Sequence, residues 1–280
     1  MKIYLDGKFV SLDAASRRFL DSGLLRGYGI FETMRAYKGN IIYLDAHLER
    51  FRNSAKFLRL KVPRAQEFLK YALYKTIRQN KIKDAYVKLA AFQGEKKTHM
   101  FIIIKKYHPY PEKKYEQGFK IKISPFRWTP DLKFSRIKTL SRGLLELAYN
   151  EAKKNGFDEA ILLNQDGYVV EGSRTNIFLV KNNKLYTPSL DCGCLEGITR
   201  KVVLDLAKEK GLLSYETKLG KKDILNAEEV FLTNSLSGIM PVAICERKKI
   251  GSWPAAKLTQ FFMKEYNNIK ERLCLRRIIR

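Results

Sequence analysis

The chain has 280 residues, with 54 Lys and Arg against 29 Asp and Glu, a formal net charge of +25, and 45% hydrophobic residues. That apolar fraction excludes wholesale disorder, and the length excludes a mini-protein held by staples; it suits one large domain or two ordinary ones. Apolar runs such as residues 101–104 fall far short of the roughly 20 residues that a membrane-spanning helix needs.

In chain order, residues 3–10 read as a hairpin around Asp6-Gly7. A strand over 29–37 follows, and Lys38-Gly39-Asn40 turns it into a strand over 41–44. Asp45 is placed to cap a helix reaching about residue 58, with Leu48, Phe51, Ala55 and Leu58 on one face. A second helix is predicted over 64–79, then strands over 85–92 and 100–105. Residues 107–118, with Pro109 and Pro111, break the pattern and read as a domain boundary. The division this predicts is an N-terminal α+β domain over 1–112, a linker over 113–118, and a C-terminal domain over 119–280. Beyond the boundary come a strand over 119–123, a helix over 142–154 and a strand over 159–163. Gln165-Asp166-Gly167 turns the last of these toward a strand over 168–170. A strand over 176–180 closes at Asn182-Asn183, and a helix over 199–210 ends at Gly211. Short strands over 230–233 and 242–244 and a helix over 255–273 complete a two-domain α+β chain.

The four cysteines, Cys192, Cys194, Cys245 and Cys274, form no CxxC pair, and the chain has three histidines. No metal site is expected, and a reduced, cytoplasmic chain is the default. Residues 1–10 carry Asp6 and alternate in polarity, unlike a signal peptide. The basic residues are spread along the chain and mixed with acids, as in Glu95-Lys96-Lys97 and Lys208-Glu209-Lys210; the densest cluster is residues 272–280. This reads as a solvated surface, with neither a nucleic acid nor a membrane as partner, and its field favours a small anionic substrate.

Four segments stand out for chemistry: residues 26–35, residues 138–142, residues 171–176 and residues 197–200. Gly197 precedes Ile198, Thr199 and a strongly amphipathic helix, which offers free N–H groups, a hydroxyl and a positive helix end to a phosphate; the same words also describe an ordinary helix start. A lysine nucleophile at Lys138 needs a lowered pKa, from desolvation or from a neighbouring cation such as Arg136 or Arg142; otherwise it is one surface lysine among many. Glu171 closes a predicted strand and can hold a pyridinium nitrogen or serve as a turn carboxylate. Arg50 lies one helical turn after His47 and can face a phosphate or solvent.

The order of these pieces resembles the fold-type IV pyridoxal-phosphate enzymes, the class IV aminotransferase family. The words that carry it are Asp158-Glu159-Ala160, Glu171-Gly172-Ser173, Asn176-Ile177-Phe178, Leu185-Tyr186-Thr187-Pro188 and Gly197-Ile198-Thr199-Arg200. The resemblance implies a two-domain, D-amino-acid aminotransferase-like fold with pyridoxal 5′-phosphate at the domain interface, and a homodimer. It implies that Lys138, in the C-terminal domain, carries the cofactor covalently and moves the substrate proton. Glu171 would pair with the ring nitrogen, and Arg50, Ile198, Thr199 and Ser235 would hold the phosphate.

Within that family, residues 233–236 followed by Gly238-Ile239-Met240-Pro241-Val242 resemble the 4-amino-4-deoxychorismate lyases. Arg142-Gly143 stands where branched-chain enzymes carry Asn-Tyr, and leans the same way. The expectation is a lyase forming 4-aminobenzoate and pyruvate, with Thr33 helping to protonate the leaving group; the alternative is a branched-chain or D-amino-acid aminotransferase. Gln93-Gly94 replaces the Arg-Gly of many members, which makes Lys97 or Arg26 the candidate carboxylate-binding cation, and Ser141 replaces an asparagine common in the lyases.

Overall fold

Strand β1 (Lys2–Leu5) reverses into β2 (Lys8–Ser11) through Asp6 and Gly7, at φ 48° and 92°. A two-residue turn with both φ values positive matches the twist of the flanking strands, and glycine adopts it without a Cβ penalty. The computed structural model describes residues 1–11, 26–128, 131–251 and 253–275. Residues 276–280 of the basic tail cluster lie outside them.

The next elements are β3 (Gly29–Tyr37), β4 (Asn40–Ile41), α1 (Leu44–Phe57), α2 (Gln66–Asn80), β5 (Ala85–Gln93), β6 (Thr98–Lys106) and α3 (Glu112–Gln117). Then come β7 (Phe119–Arg127), α4 (Leu132–Ser135), α5 (Gly143–Lys154), β8 (Glu159–Leu163), β9 (Val169–Gly172), β10 (Asn176–Lys181) and β11 (Lys184–Pro188). The chain closes with α6 (Ile198–Glu209), β12 (Ser214–Thr217), α7 (Lys221–Leu225), β13 (Glu229–Asn234), β14 (Gly238–Cys245), β15 (Lys248–Lys249) and α8 (Lys257–Leu275). Asp45 does not cap α1. The cap position is Tyr43, at φ 52°, and Asp45 sits in the first turn, where its charge still faces the positive helix end.

The chain divides into two compact units, one from Met1–His108, Ile137–Arg142 and Lys270–Arg280, the other from Pro109–Arg136 and Gly143–Ile269. This differs from a division in which Lys138 belongs to the C-terminal domain. The Phe31 N–H donates to Lys138 O at 2.9 Å, the Leu140 N–H donates to Gly29 O at 2.9 Å, and Ile30 bridges Thr139, so the lysine segment is an added piece of the first unit's sheet. Most of the sequence-predicted linker is the short helix α3, which opens the second unit. The end of α8 returns to the first unit, where Tyr37 Oη donates to Glu271 Oε1 at 2.6 Å.

Among the described residues, the first unit has an antiparallel sheet in the order β2-β1-β6-β5-β3-β4. Its core includes Ile3, Leu5, Phe31, Ala90, Phe92 and Phe101. Helix α1 packs on β3, and α2 on β1 and β6. Leu48 and Phe51 of α1 are buried on the predicted apolar face, each contributing about 1.5–3 kcal/mol. The second unit has a mixed sheet in the order β12-β11-β10-β13-β14-β7-β8-β9, with β15 on β14. Its pairs β7/β8, β14/β7 and β11/β12 are parallel. Leu145, Ala148 and Ala152 of α5 pack on Ala160 and Leu162 of β8. Among the described residues no helix is long and apolar enough to cross a membrane, and no cluster of His, Cys, Asp and Glu is arranged to hold a metal ion.

Candidate active site

Side chains alternate across β3, so Ile30, Glu32 and Met34 share one face and Phe31 and Thr33 the other. Glu32 is fully buried. His47 and Arg50, three residues apart on α1, reach it from the same side of that helix. Arg50 Nε donates to Glu32 Oε1 at 2.7 Å and Arg50 Nη2 to Glu32 Oε2 at 2.7 Å, while His47 Nδ1 lies 2.7 Å from Glu32 Oε2. Burial opposes ionisation of Glu32, but the Arg50 charge and the bonds from Arg50 and His47 outweigh it and hold the carboxyl down at about 2. Burial holds the His47 imidazole below its ordinary value, only partly offset by Glu32. The result is an arginine fixed by a two-point fork, not a solvated helix residue.

Lys138 enters beside β3 through the backbone bonds described above. Its Nζ lies 4.9 Å from the centre of the Phe31 ring, which Lys88 Nζ approaches to 4.8 Å and Arg142 Cζ to 5.7 Å. Three cations therefore gather on one aromatic side chain. Thr33, half-buried, follows Phe31 on the same face and pairs in register with Lys88. Lys97 is in an ion pair with Asp6, Nζ to Oδ2 at 3.2 Å, and Gln93 is bonded to Gly94 and Thr98 in its own loop; Arg26 is exposed.

The second unit gathers the other predicted residues. Glu171, half-buried near the end of β9, accepts at Oε2 from Asn176 Nδ2 and from the Leu195 N–H, both at 3.1 Å. The turn that follows is held by buried Glu159, which accepts from the Ala160, Ser173 and Arg174 N–H groups and from the Ser173 hydroxyl. Helix α6 starts at Ile198 after Gly197, with no side-chain cap, and the Thr199 side chain is 2% exposed. Ser235 lies on the turn after β13. Asn234 Oδ1 organises that turn by accepting from the Leu236 N–H at 2.9 Å and the Ser237 N–H at 2.8 Å.

Thr33, Arg50 and Lys138 thus belong to the first unit, and Glu171, Ile198, Thr199 and Ser235 to the second. Sequence reasoning missed the parts played by Glu32, His47, Lys88, Asn176 and Glu159. For Glu32 a signal was present: a carboxylate between Ile30 and Met34 in a β alternation must be buried and paired.

Residues 29–245 match the family model described as amino-transferase class IV. The chain belongs to the class IV aminotransferases. It is 36% identical over 282 residues to a putative branched-chain-amino-acid aminotransferase of Methanocaldococcus jannaschii, covering 96% of each chain. It is 31% identical over 285 residues to the aminodeoxychorismate lyase of Bacillus subtilis, covering 95% of each. Among solved structures it resembles the branched-chain aminotransferase of Thermoproteus uzoniensis with norvaline, at a TM-score of 0.87 and 30% identity over 95% of this chain and 93% of that one. It also resembles the T.th. branched-chain amino acid aminotransferase with pyridoxamine 5′-phosphate, at a TM-score of 0.86 and 29% identity over 94% and 93%.

Class IV aminotransferases use pyridoxal phosphate, and the residues of this class IV aminotransferase fit that group. The start of α6 has no side-chain cap, the kind of helix end that suits a phosphate, and a Cβ on Gly197 would intrude to 1.9 Å from Asn176 Oδ1. The Thr233 hydroxyl, just before the Asn234 turn, is buried and has no hydrogen-bond partner among the described residues. The first unit offers a lysine and a fixed arginine, and the second a carboxylate, hydroxyls and a helix start, groups of the kinds that bind a phosphorylated pyridine.

Proposed function

We propose that the protein is a pyridoxal-phosphate-dependent transaminase of the branched-chain type, moving an amino group from a small amino acid to a 2-oxo acid. The observation that carries this reading is near-full-length similarity to proteins named as branched-chain aminotransferases, from 36% identity in Methanocaldococcus jannaschii to 31% in Pseudomonas aeruginosa.

Pyridoxal phosphate, when bound, supplies a sink for the electron pair left at the substrate's α-carbon. Lys138 Nζ would be the group that holds the cofactor covalently and the base that moves the proton away from the substrate's α-carbon. The Glu171 carboxylate holds a proton on the ring nitrogen, which increases the pull on the electron pair. Arg50 presents its charge to the phosphate from a side chain that Glu32 has already fixed. The Ile198 and Thr199 N–H groups, the Thr199 hydroxyl and Ser235 complete the phosphate contacts. The substrate is a small anionic amino compound, and the working form is a homodimer.

Arg142-Gly143 and the residues from Thr233 to Leu236 favour a second reading, 4-amino-4-deoxychorismate lyase, in which Thr33 protonates the departing enolpyruvate oxygen. The cofactor-loaded protein discriminates the two. Leucine with 2-oxoglutarate giving glutamate, and no turnover without the 2-oxo acid, is the transaminase result. Sustained release of pyruvate and 4-aminobenzoate from 4-amino-4-deoxychorismate with no acceptor present would replace it with the lyase.

A further inference from the structure

Three hydrogen bonds in the second unit close a small ring. Glu171 Oε2 accepts from Asn176 Nδ2 at 3.1 Å and from the Leu195 N–H at 3.1 Å, and the same Asn176 Nδ2 donates to Leu195 O at 2.9 Å. Leu195 lies two residues before Gly197, the residue from which α6 starts. One side-chain amide therefore spans the carboxylate at the end of β9 and the backbone that enters the helix.

That amide has little freedom. Asn176 is 7% exposed and is the first residue of β10, where its backbone pairs opposite Thr233, next to the Asn234 turn that carries Ser235. Its Oδ1 is so near Gly197 that a Cβ there would lie 1.9 Å away, far inside any real contact. Glycine at 197 is thus required by the neighbour and not by its own backbone, which has φ −73°. A carboxylate that accepts two donors from groups fixed in this way is held in one orientation, and charge-assisted bonds of this kind are the stronger ones.

We infer that Asn176 is the positioning residue that ties Glu171 to the start of α6, so that the carboxylate and the helix end are held in one register. The inference rests on reading Glu171 as the partner of the cofactor's ring nitrogen and α6 as a phosphate site. Asn176 would act through Glu171 and the start of α6.

The test uses the full chain, titrated with pyridoxal phosphate by absorbance, in four variants. Asn176→Asp keeps the size but replaces the donor with a second carboxylate beside Glu171. Asn176→Ala removes the link. Gly197→Ala pushes on the same amide from the other side and covers the case in which an Asn176 variant does not fold. Glu171→Gln is the reference. Loss of the link is expected to weaken binding by roughly tenfold or more. In Asn176→Asp, the pH midpoint of the bound cofactor's absorbance should move upward, because an added negative charge favours the protonated form. An ordinary packing role would lower the melting temperature and leave affinity and midpoint alone, and that outcome overturns the inference. So does wild-type behaviour of folded Asn176 and Gly197 variants beside a shifted Glu171→Gln. A Glu171→Gln variant that also binds and titrates like the wild type would remove the role of Glu171, and with it that of Asn176.

Discussion

Glu32 and Arg50 meet in a two-point fork, Nε to Oε1 and Nη2 to Oε2, both at 2.7 Å, on a carboxylate with no solvent exposure. The arginine's orientation is therefore settled before any anion arrives. Replacing Glu32 with Gln breaks this arrangement and leaves Arg50 and His47 facing a neutral group. The expected loss is about 3 kcal/mol at neutral pH, read by urea unfolding.

The same pair sets an acid limit. The Glu32 carboxyl titrates at about 2 in the folded chain, below its ordinary value of 4.5, so its stabilisation is complete above that value and is lost as the pH falls toward 2. His47, held below its ordinary 6.5 by burial, has the same sign: the unfolded chain takes the proton first, and stability falls below that pH. A stability–pH curve should decline below about 6.5 and steepen below about 4.5, and Glu32→Gln should remove the lower part. A curve flat from pH 7 to 3 would contradict both assignments.

Lys138→Ala should abolish turnover by roughly a thousandfold or more, since it removes both the attachment point and the base. The fold should survive, because the bonds linking this segment to β3 are made by backbone atoms. Circular dichroism alongside the assay separates loss of chemistry from loss of structure.

Thr199→Val and Ser235→Ala each delete one hydroxyl proposed to meet the phosphate. Each should weaken pyridoxal-phosphate binding by about fivefold, the worth of one ordinary hydrogen bond. Pyridoxal without its phosphate should show no such difference between wild type and variants.

Burial pushes the thiols of Cys194 and Cys245 up to about 12. At pH 8 roughly one part in ten thousand is thiolate, so neither should be alkylated by iodoacetamide in the native protein. Mass spectrometry before and after denaturation checks this, and rapid native labelling of Cys194 would show that its surroundings open.

The long periodic elements were legible in the sequence. Residues 29–37 and 159–163 are strands with the predicted limits, and the apolar face of α1 is the one that its spacing marked. Short elements such as β12 and α7 carry too few residues to show a period. The placement of Lys138 was hidden for a different reason: its segment joins β3 by backbone bonds, which leave no mark on side-chain pattern. The candidate site was legible as words but not as partnerships. Glu171 was given a role, while Asn176, five residues on in the same motif, was given none, because a hydrogen bond between two polar side chains has no hydrophobic signature.

The discontinuity of the first unit has a consequence for synthesis. A ribosome that has released residues 1–108 has released most of a sheet, yet the stretch of β3 at Gly29–Phe31 gains Lys138–Leu140 only after a further 28 residues of another unit, Pro109–Arg136, have been made. The contact of Tyr37 with Glu271 waits until residue 271 has been made. The nascent chain therefore carries an unpaired β-edge while the rest is translated. A clone truncated between residues 108 and 137 would yield a fragment with that edge exposed, prone to pairing with its own kind.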